Sequence, residues 1–217
     1  MRFLFHWFVK ITAWIPQMLV FRTKLYYEDR RVQGRHIRGR AIVVSNHTSV
    51  LDVATMLFVF PFRTLRVVAA EIMYTKNMFM SIMLYLLGTI RVDREAHDFS
   101  FLGACERILK KGGVIEIYPE ARLPKAGEER PLAFKPSAVY LALQTETPII
   151  PVYTNGEMFS RKRLRVVIGK PIDVCRLYND QLSEKENIES INTYLRGKVI
   201  ELGQQIERKA PEKEAGK

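Results

Sequence analysis

One short segment of the chain combines two residue types that do proton chemistry together. In Ser45-Asn46-His47-Thr48-Ser49-Val50-Leu51-Asp52 an imidazole is followed five positions later by a carboxylate. Positions i and i+5 lie about 140° apart around an ideal helix, so both side chains cannot share one helical face. They can meet if His47 sits in a turn ahead of a helix that begins near Asp52. Asp52 would then accept the proton of one ring nitrogen, fix the tautomer, and leave the other nitrogen to take a proton from a hydroxyl. The same residues admit a plainer use. Ser49 and Asp52 have the spacing of a helix capping box, in which Asp52 serves the backbone of Ser49 and the helix dipole.

Two further segments carry arginines. Gly88-Thr89-Ile90-Arg91-Val92-Asp93-Arg94 follows an apolar run, and Pro119-Glu120-Ala121-Arg122 follows the run Gly113 to Tyr118. A guanidinium is planar and donates paired hydrogen bonds at fixed geometry, which suits phosphate. Either arginine alone also fits an ordinary surface position. Together, Arg94 and Arg122 form a candidate phosphate clamp near His47.

The elements that must position these residues follow from the apolar pattern. From Ala41 onward, short runs with strand character (AIVV, LRVVAA, GVIEIY, IIPVYTN, LRVVIG) alternate with helical stretches (LDVATMLFVF, MFMSIMLYLL, AVYLALQ). That alternation predicts an α/β fold: a single central, mostly parallel sheet flanked by helices. In such sheets ligands bind at the carboxyl ends of the strands, which is where His47 and Glu120 fall. A last helix is expected from Ser183 to about Glu207. The expected organisation is an N-terminal membrane-associating segment, residues 1–31, a catalytic domain, residues 32–208, and a tail, residues 209–217, with no apolar side chains to order it.

Charge and composition narrow the partners. The formal net charge of +11 favours anionic surfaces or ligands. The segment Phe3 to Phe21 is apolar and rich in aromatics, with Trp7 and Trp14 suited to an interface, but Lys10 and Pro16 interrupt it. A helix lying in the headgroup layer fits that pattern better than a full span, and the basic stretch Arg22 to Arg40 would be drawn to anionic lipid. The cytoplasmic face of a membrane is the expected location. Cys105 and Cys175 do not form a CxxC, and no Cys/His cluster has metal-ligand spacing, so neither a disulfide scaffold nor a metal site is expected. No GxSxG, Walker A or GxGxxG pattern occurs, which argues against a serine hydrolase and against nucleotide chemistry. The basic run Arg161 to Arg165 lacks the aromatic interleaving of a nucleic-acid surface, so no nucleic-acid partner is expected.

Taken in order, Asn46-His47-x4-Asp52, Gly88-x5-Arg94, Tyr118-Pro119-Glu120-Ala121-Arg122 and Ile150-Pro151-Val152 resemble the four motifs of the glycerophospholipid acyltransferase family. The resemblance runs from about Val32 to Gly169. It implies transfer of a fatty acyl group from acyl-CoA or acyl carrier protein, used as co-substrate with no other cofactor, to the free hydroxyl of a lysophospholipid such as 1-acylglycerol-3-phosphate at a phospholipid membrane. It also implies roles: His47 as general base, Asp52 as its orienter, Arg94, Arg122 and Glu120 at the acceptor phosphate, with Glu120 helping to position the acceptor or the loop, and Asn46, Gly88, Pro119 and Pro151 around the pocket. One departure stands out. The family's third motif usually reads Phe-Pro-Glu-Gly-Thr-Arg, whereas here Tyr118 replaces Phe, Ala121 replaces Gly, and one residue fewer precedes Arg122.

Overall fold

The computed structural model of the chain describes residues 2–75, 78–92, 100–125 and 127–214. A helix, α1 (Arg2–Leu19), precedes strand β1 (Lys24–Tyr27). Then come β2 (Ala41–Ser45), α2 (Asp52–Val59), β3 (Leu65–Ala70), α3 (Ile72–Thr75), α4 (Met78–Leu87) and β4 (Ile90–Val92). The second half holds α5 (Ser100–Lys110), β5 (Val114–Ile117), α6 (Ser137–Thr145), β6 (Ile149–Thr154), β7 (Arg165–Ile168) and α7 (Glu184–Glu214).

The strands form one seven-stranded sheet in the order β1-β7-β6-β2-β5-β3-β4. All neighbours run parallel except β6 and β7, so the expected α/β class holds. Every residue of β2 is buried. A central parallel strand is covered on both faces and therefore reads as a continuous apolar run, AIVVS. Alternate residues serve opposite layers. Ile42, Val44, Ile115 and Ile117 pack with Cys105, Leu109, Leu141 and Leu195 from α5, α6 and α7. Ala41, Val43 and Val114 pack with Met56, Leu57 and Leu87 from α2 and α4.

The structure departs from the sequence expectation in four places. β1 lies in the basic stretch ahead of residue 32, pairs with β7, and brings the start of the sheet forward of the expected boundary. It is an edge strand, where Lys24 is tolerated and the usual apolar run is not required. β4 is also an edge strand, three residues long. α5 is amphipathic, burying Cys105 and Leu109 while Arg107 and Lys110 face outward, and its mixed composition hid it between two apolar segments. α7 runs on to Glu214, into the stretch expected to lack order, where Lys209, Ala210, Glu212, Lys213 and Glu214 favour helix and Pro211 does not.

α1 packs on α2 and α4 with its polar side inward. His6, Lys10 and Gln17 are buried, while Leu4, Phe8, Ile11, Trp14, Ile15 and Met18 are exposed. Lys10 Nζ donates to the carbonyls of Pro61, at 2.7 Å, and Arg63, and burial pulls its pKa down to about 8. Burial, reinforced by the positive charges of Lys10 and Arg66, takes His6 down to about 4. No helix among the described residues is long and apolar enough to cross a membrane.

Candidate active site

β2 leaves the sheet at Ser45, and the chain turns through residues 46–51 before α2 starts at Asp52. The turn brings the two groups together. His47 Nδ1 lies 2.9 Å from Oδ2 of Asp52, whose side chain is fully buried while the imidazole keeps 16% of its surface exposed. With Nδ1 donating to the carboxylate, Nε2 is the nitrogen left to accept a proton.

Asp52 also organises the turn itself. Its Oδ2 accepts from the backbone amides of Thr48 at 2.6 Å and Ser49 at 2.9 Å, and its Oδ1 accepts from the Thr48 hydroxyl at 2.9 Å. The bond from Ser49 N is one half of a capping box. The other half is not made: Ser49 Oγ accepts from Leu51 N, and Asp52 N donates to the Ser49 carbonyl. The two uses foreseen for Asp52 therefore coexist in one carboxylate.

The strands on either side of β2 hold the turn in place. Toward β6, the Asn46 amide exchanges two hydrogen bonds with the Thr154 backbone, at 2.9 and 2.8 Å, and so extends the ladder past the end of the strand. Toward β5, Glu120 accepts from His47 N through Oε1 at 2.8 Å and from Leu132 N through Oε2 at 2.9 Å. Gly156, at φ +70°, closes against the turn: a Cβ there would lie 2.8 Å from Cβ of Thr48. The ring of Tyr118 stacks on His47 at 4.5 Å between centroids with an interplanar angle of 28°.

Behind this surface lies Glu116. Val114 belongs to the α2 layer and Ile115 to the opposite one, so alternation places Glu116 in the α2 layer, beneath the turn. Its carboxyl oxygens and the Tyr118 hydroxyl are buried and find no hydrogen-bond partner of good geometry among the described residues. Burial pushes Glu116 up to about 8, with Asp52 adding to the push and the neighbouring Tyr118 hydroxyl opposing it. Burial, the Glu116 charge and then Asp52 hold Tyr118 well above its ordinary value, so the two side chains face each other without a hydrogen bond of good geometry.

The remaining site expectations fare differently. Glu120 takes the loop half of its expected role and does not face outward toward a phosphate. It is buried, with both oxygens engaged by backbone amides, and a second anion beside it would be repelled. Arg122 forms a bidentate pair with Glu128 at 2.7 and 2.8 Å, a planar match of fork to carboxylate. Arg94 lies outside the described residues. Gly88 ends α4 as a left-handed residue at φ +67°. Gly88 N bonds to Tyr85 O at 3.0 Å and Thr89 N to Leu84 O at 3.1 Å, a Schellman cap. The left-handed backbone at Gly88 is strained for any other residue, so its contribution here is the turn of the chain itself. Pro119 is buried and its carbonyl accepts from Lys135 N at 2.8 Å. Pro151 is inside β6, opposite Val44, with its ring against Gly169 rather than beside His47. Asn46 is likewise buried, its amide committed to β6.

Sequence reasoning did not single out Thr48, Gly156, Glu116 or the stacking role of Tyr118. Glu116 alone carried a signal: an acid inside an otherwise apolar strand run has to be explained by something buried beside it.

Comparison with known proteins identifies the family. A family model described as Acyltransferase matches residues 25–155. The 1-acyl-sn-glycerol-3-phosphate acyltransferase beta of Homo sapiens is 28% identical over 70% of this chain and 54% of its own length. The corresponding enzyme of Limnanthes alba is 33% identical over 61% and 47%, and that of Borreliella burgdorferi 26% identical over 84% and 72%. The chain thus spans about half the length of the human and plant relatives. In fold it is similar to the crystal structure of the 1-acyl-sn-glycerophosphate acyltransferase of Thermotoga maritima, with a TM-score of 0.63 and 20% identity over 90% of this chain and 78% of that one. The family match covers well over half of the chain and includes the His47 turn, Tyr118 and Glu120, and the chain belongs to the acyltransferase family.

Proposed function

We propose that this protein transfers a fatty acyl group from a thioester donor, acyl-CoA or acyl carrier protein, to the free hydroxyl of 1-acylglycerol-3-phosphate, forming phosphatidic acid. The observation that carries the reading is the His47–Asp52 pair, oriented in a turn at the carboxyl edge of the sheet. The relatives named above act, by their names, on the same acceptor class.

In this reading Nε2 of His47 takes the acceptor hydroxyl proton as its oxygen attacks the thioester carbonyl carbon. The resulting imidazolium is stabilised by buried Asp52. The tetrahedral intermediate collapses with cleavage of the C–S bond, and His47 returns the proton to the departing sulfur. Proton, acyl group and charge balance without a covalent acyl-enzyme. Tyr118 restricts the imidazole to one plane, and Glu120 and Asn46 fix the backbone that carries it.

The reaction is proposed to occur at a membrane surface, with α1 lying in the headgroup layer. Support comes from the outward row Leu4, Phe8, Ile11, Ile15 and Met18, with Trp14 beside it. Both the acceptor and the product are amphiphiles, and drawing them out of a bilayer costs about 0.8 kcal/mol per CH₂.

The test is product mass after incubating purified protein with a labelled acyl donor and a panel of glycerol 3-phosphate and lysophospholipid acceptors. Phosphatidic acid formed from 1-acylglycerol-3-phosphate, and lost by about 10²- to 10⁴-fold in His47→Ala, is the expected result. Wild-type turnover in His47→Ala would end the proposed mechanism, and lipid binding without any turnover would favour a nonenzymatic lipid-binding module.

A further inference from the structure

The loop between β1 and β2 encloses a second cationic feature, remote from His47. Its cleft of about 630 Å³ is lined in part by Arg30, Arg31, Arg38, His36, Tyr27 and Phe62. No acidic residue lines it among the described residues. Glu28 is turned toward Lys170, accepting from its backbone amide at 2.8 Å, and the Asp29 side chain accepts from Arg31 N. The fourth arginine of the cleft, Arg35, has a structural task, donating to the carbonyls of Val59 and Phe58 at the end of α2. The guanidinium of Arg30 rests over the Tyr27 ring and the His36 ring lies 5.9 Å from that of Phe62, so two of the cationic or basic groups are seated against aromatic faces.

The cleft joins the apolar side of α1. Phe58 touches Trp14 of α1 edge-on at 6.3 Å and carries Arg35 over its ring at 4.9 Å. Phe62 is 59% exposed, between Pro61 and Arg63, whose carbonyls bind Lys10 of α1. A ligand with an anionic head in the cleft therefore has exposed apolar side chains beside it, Val32 and Phe62, with α1 packed next to them through buried Phe58.

It is not the acceptor's own phosphate site. The cleft loop enters β2 at Ala41, whereas His47 follows Ser45 at the other end, so the five-residue strand separates them by about 17 Å. The reacting hydroxyl of a glycerol phosphate lies only a few bonds from its phosphate.

Resting on the membrane-surface reading above, we propose that this cleft is a headgroup site for a non-substrate anionic phospholipid of the bilayer, its phosphate held by Arg30, Arg31 and Arg38 and its acyl chains lying along Phe62 and α1. The shared ligand chemistry is a phosphate ester. The bilayer lipid is preferred over a soluble phosphate because the cleft opens onto apolar surface.

The test uses the full chain. Dihexanoylphosphatidylglycerol, kept below its micelle concentration, is titrated by calorimetry into wild type, into the triple variant R30Q/R31Q/R38Q, and into the equal-charge control R107Q/K111Q/K185Q. Saturable one-to-one binding, at least tenfold weaker in the cleft variant and unchanged in the control, is expected, with acyl transfer to a short-chain acceptor and the thermal melt preserved in both. Equal weakening in the two variants would reduce the effect to diffuse charge and overturn the site. Equal affinity for inorganic phosphate, or displacement of the lipid by coenzyme A, would overturn the bilayer-lipid assignment. Cosedimentation with pure phosphatidylcholine vesicles separates the two readings. Vesicle binding without saturable short-chain lipid binding sinks the cleft and leaves the membrane reading standing. Short-chain binding without any vesicle binding sinks the membrane reading and the bilayer source with it.

Discussion

Replacing Asp52 by Ala and by Asn separates its two tasks, because the two substitutions remove different things. Ala leaves the amides of Thr48 and Ser49 and the Thr48 hydroxyl without their acceptor, along with His47 Nδ1. An orphaned donor of this kind costs about 1 to 3 kcal/mol, so Asp52→Ala should lose on the order of 3 to 5 kcal/mol of stability together with nearly all turnover. Asn keeps the volume and one carbonyl oxygen, which can occupy the place of Oδ2 and accept the same three N–H groups, while its amide NH₂ can donate to the Thr48 hydroxyl. What Asn lacks is the negative charge that stabilises imidazolium. Asp52→Asn should therefore stay within about 1 kcal/mol of wild type by urea denaturation. Its kcat should nevertheless fall by a factor approaching the 10²- to 10⁴-fold range of general-base loss. The assays are denaturant unfolding of both variants and kcat/KM on 1-acylglycerol-3-phosphate. Near wild-type turnover in Asp52→Asn would show that the carboxylate serves only the turn, and the base-and-orienter assignment would fall.

Three other outcomes can be checked with the same tools. Glu116 has its pKa raised from 4.5 to about 8, so its contribution to stability is fully present below pH 4.5, falls as pH rises toward 8 and is flat above. Glu116→Gln should thus gain on wild type by about 1.4 kcal/mol per pH unit across that window, and a constant difference between pH 5 and 8 would refute the buried-carboxyl assignment. Glu128→Gln frees the guanidinium of Arg122; if Arg122 serves the acceptor phosphate, this variant should lower the acceptor KM while Arg122→Ala raises it, with the donor KM fixed in both. Parallel changes in donor and acceptor KM would instead assign the Arg122–Glu128 pair to loop structure. Gly156→Ala places a methyl against Thr48 on left-handed backbone, so it should cost more than tenfold in kcat, and normal turnover would show that this contact does not hold the His47 turn.

The sheet and the dyad were legible because both rest on local pattern. Buried parallel strands read as apolar runs, and a His followed five residues later by an acid can make contact when the His sits in a turn ahead of a helix. What escaped was set by tertiary partners. β1 carries Lys24 and two tyrosines and becomes a strand through its pairing with β7, more than a hundred residues away. The family-like arginine at Arg122 predicted a phosphate contact, but Glu128 competes for the same fork and is brought to it by a loop whose course no periodicity reveals. Glu120 had the right address, but the loop half of its expected role, and not the acceptor half, is what its contacts show, since a carboxylate at the end of β5 meets the backbone amide of His47 only once β2 and β5 are neighbours.

The N-terminal helix carries the physical argument for a surface enzyme furthest. His6, Lys10 and Gln17 fall within about a 40° arc of the helix, and that arc faces inward. In water the opposite orientation would be favoured, because a large apolar side chain gains about 1.5 to 3 kcal/mol on burial and a lysine loses by it. The fold satisfies Lys10 with two carbonyls beyond the end of α2, and Gln17 donates to Thr55, so two of the three inward polar residues are specifically fitted, while the His6 ring nitrogens are buried with no hydrogen-bond partner among the described residues. Leu4, Phe8, Ile11, Ile15 and Met18, spaced four and three residues apart, then form a continuous outward row for which the domain supplies no partner among the described residues. A chain that spends desolvation on a buried lysine while leaving five large apolar groups outside is stable in that arrangement if the medium on the outer side is itself apolar. A bilayer would supply such a medium, which is the support this helix lends to the proposed reaction at a membrane surface.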